Sequence, residues 1–245
     1  MSQILIEVAA FTPSSAILAA NSGAGRIELC SGFAEGGLSP SIGAVDMVRE
    51  KITIPLHVMV RPRVGDFVYN DDELLVMEKE IIYYKQLKVD GIVLGVLNNK
   101  GEININALNQ LLDVARPMSV TFHRAFDQCI TPLFELEKLI KCGIDRVLTS
   151  GGKQKVPEGL QMLKQYISIA GDSLIILPGG GITVANVKEI IDTLGIQEIH
   201  MSCKKMVTSP MAKLPVSVSL CSPQEVYDFR WNEFDAKKLK EIIDN

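Results

Sequence analysis

Eight short apolar runs, each followed by a segment of helical spacing, constrain this chain more than any other feature. The runs cover residues 4–8, 26–30, 56–60, 91–96, 120–122, 146–149, 174–177 and 198–201. Each has the length and the Val, Ile and Leu content of a buried strand. Between them lie segments with helix start signals. Thr12-Pro13-Ser14 opens the first, with Pro at the tolerated first turn. Ser39-Pro40-Ser41 opens the second, and Asn70 opens a long third one running through Leu87. Residues 104–115, 131–140, 157–170, 183–194 and 235–243 supply the rest.

An internal repeat supports the alternation. Gly23-Ala24-Gly25-Arg26-Ile27, Lys88-Val89-Asp90-Gly91-Ile92, Gly143-Ile144-Asp145-Arg146-Val147 and Gly195-Ile196-Gln197-Glu198-Ile199 look alike. Each reads as a helix C-terminus and a tight turn into a strand, before strands two, four, six and eight. The unit is thus a (βα)₂ module used four times. With 245 residues and no linker, the expectation is an α/β chain forming one (β/α)₈ TIM barrel domain over residues 1–245. An elaborated segment, 204–230, follows strand eight. An open doubly wound sheet is the structural rival, differing in whether the first and last strands pair.

The net charge of −4 gives no basic face for nucleic acid or an anionic membrane. No run approaches the ~20 apolar residues of a membrane span. Five widely spread cysteines without a CxxC argue for free thiols and a cytoplasmic location.

Polar residues then break the strands near their carboxyl ends, where barrels build their sites. Glu7 lies in strand one, and Glu28 and Cys30 share one face of strand two. Strand three carries His57, Met59 and Arg61, then Arg63, Asp66 and Tyr69. Strand five ends in His123, Arg124 and Asp127, with alternation placing His123 and Arg124 on opposite faces. Strand eight gives His200 and Ser202. Each histidine alone could be a satisfied core residue; the set reads as one polar pocket. Strand six ends in Ser150-Gly151-Gly152 and strand seven in Gly179-Gly180-Gly181. Such turns expose amides that suit a phosphate or carboxylate, or they serve only tight packing. The Gly32–Ser39 loop is either a mobile lid or a plain connection.

These residues support an enzyme acting on a small anionic, phosphorylated metabolite. Arg61, Arg63 and Arg124 would clamp the charge, with Ser150, Gly151, Gly152, Gly179, Gly180, Gly181 and Ser202 around it. Glu7, Glu28, His123 and Asp66 are the acid–base candidates. Cys30 and Cys203 are candidate soft-metal ligands, set against their ordinary use as small buried side chains.

Several motifs together resemble the CutC copper homeostasis family. They include Arg26-Ile27-Glu28-Leu29-Cys30-Ser31, Glu35-Gly36-Gly37-Leu38-Ser39-Pro40-Ser41, His57-Val58-Met59-Val60-Arg61-Pro62-Arg63, Thr121-Phe122-His123-Arg124-Ala125-Phe126-Asp127 and Pro178-Gly179-Gly180-Gly181-Ile182. The resemblance runs in order from about residue 3 to residue 203. It implies a cytoplasmic (β/α)₈ barrel, often a homodimer, with a role in copper handling. It also implies copper(I) held by two cysteines. Cys30 matches one of them, and Ala9 stands at the other. Cys203 is a substitute the resemblance leaves open.

Overall fold

The computed structural model describes residues 4–211 and 229–244. Eight parallel strands form its centre: β1 (Leu5–Ala10), β2 (Arg26–Leu29), β3 (Leu56–Met59), β4 (Gly91–Leu94), β5 (Ser119–Phe122), β6 (Arg146–Thr149), β7 (Ile175–Pro178) and β8 (Glu198–Met201). They lie in the order β7-β6-β5-β4-β3-β2-β1-β8. Glu7 of β1 sits opposite Arg26 on one side and His200 on the other. A parallel bridge from Gly179 to His200 joins the remaining edges. First and last strands therefore pair, which makes the sheet a (β/α)₈ barrel and rules out the doubly wound alternative.

The helices α1 (Pro13–Asn21), α2 (Ile42–Lys51), α3 (Asp71–Gln86), α4 (Ile105–Ala115), α5 (Pro132–Lys141), α6 (Val156–Ala170), α7 (Val187–Leu194) and α8 (Ala236–Ile243) surround it. Their starts are set by side chains that accept from otherwise unpaired amides. Thr12 accepts from Ser15, Ser41 from Ala44, and Asn70 with Glu73 forms a reciprocal capping box. α7 begins at Val187, later than its sequence pattern, because Asn186 closes a turn on Thr183 first.

Alternation along each strand sorts the core into two compartments. Outward residues such as Val8, Ile27, Leu29, Val58, Ile92, Val120 and Phe122 are fully buried beneath the helices. Inward positions carry Glu7, Arg26, Glu28, His57 and His123 instead.

The fourfold repeat has a visible cause. Gly23, Lys88, Gly143 and Gly195 all adopt positive φ where the helix hands over to the next strand. In two of the modules an aspartate then fixes the neighbouring strand. Asp90 accepts from the Leu56 amide at 2.8 Å and pairs with Arg49, while Asp145 accepts from the Val120 amide at 2.8 Å and pairs with Arg116.

After β8 the described residues form an antiparallel ribbon, β9 (Lys204–Thr208) with β10 (Arg230–Phe234). The sequence marks only an elaborated segment here. Met206 and Val207 adjoin in β9, and Trp231 and Phe234 stand three apart in β10, so neither strand carries an apolar alternation to read. Phe234 anchors the ribbon: it is buried, and its amide donates to Ser15 of α1 at 3.1 Å. Residues 212–228, Cys221 included, lie outside the described residues.

Replacing Asp145 by Ala strands the Val120 amide at the start of β5. A cost of about 1–3 kcal/mol in urea denaturation is expected. An unchanged midpoint would show that the repeat's aspartates do not hold strand register.

Candidate functional site

A column of charged side chains threads the barrel interior, beginning at the strand N-termini. Arg146 donates from Nε to Glu198 at 3.0 Å, and Arg26 donates from Nη2 to the same carboxylate at 2.7 Å. Arg26 Nε also pairs with Glu7. The other oxygen of Glu7 lies 2.7 Å from His200 Nδ1, and His200 Nε2 faces Glu28 at 3.8 Å. Cys30 donates its thiol to Glu28 at 3.4 Å. The adjacent strands β8, β1 and β2 bring residues 7, 26, 28, 198 and 200 together, and Arg146 reaches Glu198 from β6, two strands away.

Electrostatics separates the two glutamates. Burial would raise the Glu7 carboxyl, but the His200 hydrogen bond and the charges of Arg26, His200 and His57 hold it well below the usual carboxylate range. Burial raises Glu28, and the Glu7 charge adds to it; the attraction of His200 only partly offsets these. Burial would lower His200, yet Glu28 and Glu7 raise it above the ordinary histidine value. Burial, the Glu28 charge and the bond to Glu28 push the Cys30 thiol far up, so it is a neutral thiol.

The column ends in a cavity of about 130 Å³ at the strand C-termini, lined by Glu28, His200, His123, Arg61, Arg124 and Met59 together with Ala9, Phe67 and Leu148. Glycines in and just after β4 make room for two buried imidazoles, of which His123 lines the cavity. A Cβ on Gly91 would lie 2.6 Å from the His57 ring, and one on Gly95 would strike His123. His123 Nδ1 accepts from the Ala125 amide at 3.2 Å, so its single proton sits on Nε2, which has no partner. Burial, with Arg61 nearby, lowers its pKa to about 3. His123 is thus a neutral imidazole whose Nε2 proton has no protein partner at the cavity.

Arg124 departs from the alternation expected of it. β5 stops at Phe122, and a 3-10 turn over Arg124–Gln128 swings the guanidinium to the cavity beside His123. Asp127, to which the sequence reading gave no role, fixes it there by accepting from Nε at 2.8 Å. The same carboxylate accepts from the Ser150 and Gly152 amides at 3.1 and 2.9 Å and from Thr149 Oγ1 at 2.5 Å. The strand-six cradle expected to take an outside anion therefore holds one of the protein's own. Its only sequence signal is the three-residue spacing from Arg124.

The other candidates divide. Arg61 is buried and donates to the carbonyls of Glu35, Gly37 and Gly65, so it pins the Gly32–Ser39 loop as a wall. Arg63 and Asp66 pair with each other on the exposed loop, away from the cavity, and Arg63 also binds Glu73. Ser202 lines a separate crevice beside Lys204 and Phe234. Gly179 packs against His200, and Gly180 lies against Arg124; Lys155 covers Gly181. Cys203 belongs to the outer core with burial raising its thiol to about 11, whereas Cys30 packs with Met59 and Val93.

A closed eight-stranded α/β barrel with converging polar groups at its strand C-termini defines a TIM-barrel protein with a mouth site. The model of the CutC family matches residues 4–205. A CutC family protein of Pectobacterium atrosepticum is 42% identical over 224 residues, covering 91% of this chain and 88% of the relative. A mouse protein named copper homeostasis protein cutC homolog is 40% identical over 238 residues, covering 97% and 88%. The CutC structure from Streptococcus agalactiae superposes with a TM-score of 0.77 at 32% identity, over 81% of this chain and 98% of that one. The chain belongs to the CutC family.

The donors fit a two-thiolate copper(I) site poorly. Cys30 is a neutral thiol accompanied by the Met59 thioether, Ala9 offers no donor, and the remaining described cysteines lie in or against the outer core. Soft copper(I) selects thiolates and thioethers, whereas the column supplies carboxylate and imidazole.

The buried imidazoles make stability depend on pH. Burial holds His57 at about 4, assisted by Arg26 and Arg146 against Glu7. Folded His57 and His123 stay neutral where an unfolded chain would titrate near 6.5. Their contribution is complete above about pH 6.5 and is lost as pH falls towards 4 and 3. Glu7, with its lowered pKa, adds a loss at still lower pH; His200, raised, opposes by losing its contribution as pH rises. The urea midpoint should therefore drop between about pH 7 and about pH 4.5, and His123→Gln should reduce the drop. An identical drop in the variant would remove His123 from this account.

Proposed function

We propose that this CutC family protein serves copper homeostasis through an enzyme-type site acting on a small anionic metabolite. The observation that carries this is the convergence of unsatisfied buried groups on one cavity. Glu28 Oε1, His123 Nε2 and Arg61 Nε have no hydrogen-bond partner, and all three residues line the same space. Buried polar groups are rarely left unpaired without a ligand to pair them. At ~30 Å³ per water, the cavity has room for about four waters or a ligand of a few heavy atoms. Arg124, its plane set by Asp127 and Ser150, supplies the charge that holds the anion. Glu28, with its raised pKa beside a cationic His200, exchanges a proton with the ligand. His123 donates from Nε2 to a developing negative charge.

Copper(I) capture by Cys30 is the second reading, favoured by one observation. Cys30 Sγ and Met59 Cε both lie 3.5 Å from where a Gly37 Cβ would stand, so two sulfur side chains adjoin at the mouth. A second thiolate would then come from outside the chain. The free cysteines and the family resemblance support a cytoplasmic homodimer in either case.

Thermal shift with inorganic phosphate and with two- to four-carbon carboxylates (about the size the cavity holds) separates the readings. At least one anion should raise Tm, and Arg124→Gln should abolish the rise. No stabilisation by any of them sinks the enzyme reading. Competition for copper(I) against a chelator reads the other: equal affinity in wild type and Cys30→Ser removes that site.

A further inference from the structure

We propose that Glu28, His200 and Glu7, at the inner side of the cavity, form a divalent-metal site with His57 beside them, for a borderline first-row cation such as Zn²⁺ or Co²⁺. The inference goes beyond the metabolite reading and stands without it. One donor atom each from Glu7, Glu28 and His200 lies within 4.8 Å of the others. Metal–ligand bonds of ~2.0–2.2 Å separate two donors by at most about 4.4 Å, so the widest pair needs to close by only a few tenths of an ångström. His200 Nε2 and Glu28 Oε2 are already at 3.8 Å.

A second observation comes from outside that trio. His57 is 3% exposed, its Nδ1 has no hydrogen-bond partner, and that nitrogen lies 4.0 Å from Glu7 Oε2. Glu28, also 3% exposed, presents an unpartnered Oε1 in the same cavity.

Glu7 Oε1 already lies 2.7 Å from His200 Nδ1, so these two donors adjoin before any ion binds. Charge also balances. Arg26 and Arg146 are matched by Glu7 and Glu198. Glu28 then stands against the two charges of the ion, and a bound monoanion neutralises the one left over. The ion would also carry a water into the cavity and lower its pKa, taking over the proton exchange assigned above to Glu28. Carboxylate and imidazole donors select divalent ions over copper(I).

The test titrates Zn²⁺ and Co²⁺ alone into metal-stripped full-length protein, without metabolite, by calorimetry and visible absorption. Wild type should bind one ion with proton release. Glu28→Gln and His200→Gln should each weaken binding about 10–100-fold or more. The Co²⁺ spectrum should lack a thiolate charge-transfer band. Absence of saturable binding in wild type, or equal affinity in a folded variant, overturns the proposal. A thiolate band overturns it too, by placing the ion on cysteine, and this readout needs no variant to fold. Failure here leaves the anion thermal shift, measured in chelator, unaffected.

Discussion

Glu7 is a carboxylate with no exposed surface at the centre of a closed barrel, and the rest of the interior is arranged to keep it charged. Moving such a group out of water costs several kcal/mol unless it is paired and hydrogen-bonded. Arg26 and His200 do the pairing from the two neighbouring strands, and Glu198 with Arg146 balances Arg26 in turn. Closure of the ring is therefore an electrostatic requirement as well as a topological one. Without the pairing of β1 with β8, Glu7 would face no His200. The chain of charges also delivers a consequence to the mouth, because His200 reaches Glu28 already oriented.

Function at the mouth depends on small residues as much as on charged ones. Gly91 and Gly95, in β4 and just beyond it, leave the space that His57 and His123 fill from β3 and just after β5. Both rings are then buried and neutral, and the Ala125 amide fixes the tautomer of His123. A Cβ on either glycine would clash with an imidazole. Likewise Arg124 reaches the cavity only because β5 ends one residue before His123 and the chain tightens into a 3-10 turn. His123 caps that turn through Nδ1, so the residue that starts the turn also lines the site it creates.

Asp127 changes how the glycine-rich end of β6 is understood. Barrels commonly use such loops to hold phosphate on free amides. Here Ser150 and Gly152 donate to a resident carboxylate, and Gly151 donates to Thr149. The loop stiffens Arg124 and has few amides left for a ligand. The positive charge of Arg124 stands at the open end of the cavity, while the carboxylates of Glu7 and Glu28 and the His200 ring lie at the inner end.

The sequence alone determined the barrel. Strand alternation, helix caps and the fourfold repeat are local properties, and Gly23, Lys88, Gly143 and Gly195 took the left-handed turn that the repeat required. It also marked Glu7, Glu28, His57, His123 and His200 as out of place in apolar strands, because burying a polar group without a partner is costly. Tertiary structure decided the rest. Which carboxylate is ionised, which imidazole nitrogen carries the proton, and that Asp66 and Arg63 satisfy each other on a loop all depend on neighbours distant in sequence. Asp127 could not be found as an internal anion, since its partners Ser150 and Gly152 are more than twenty residues away and meet it only once β5 and β6 pair. A residue's type fixes what it can donate or accept; only the closed ring fixes what stands opposite.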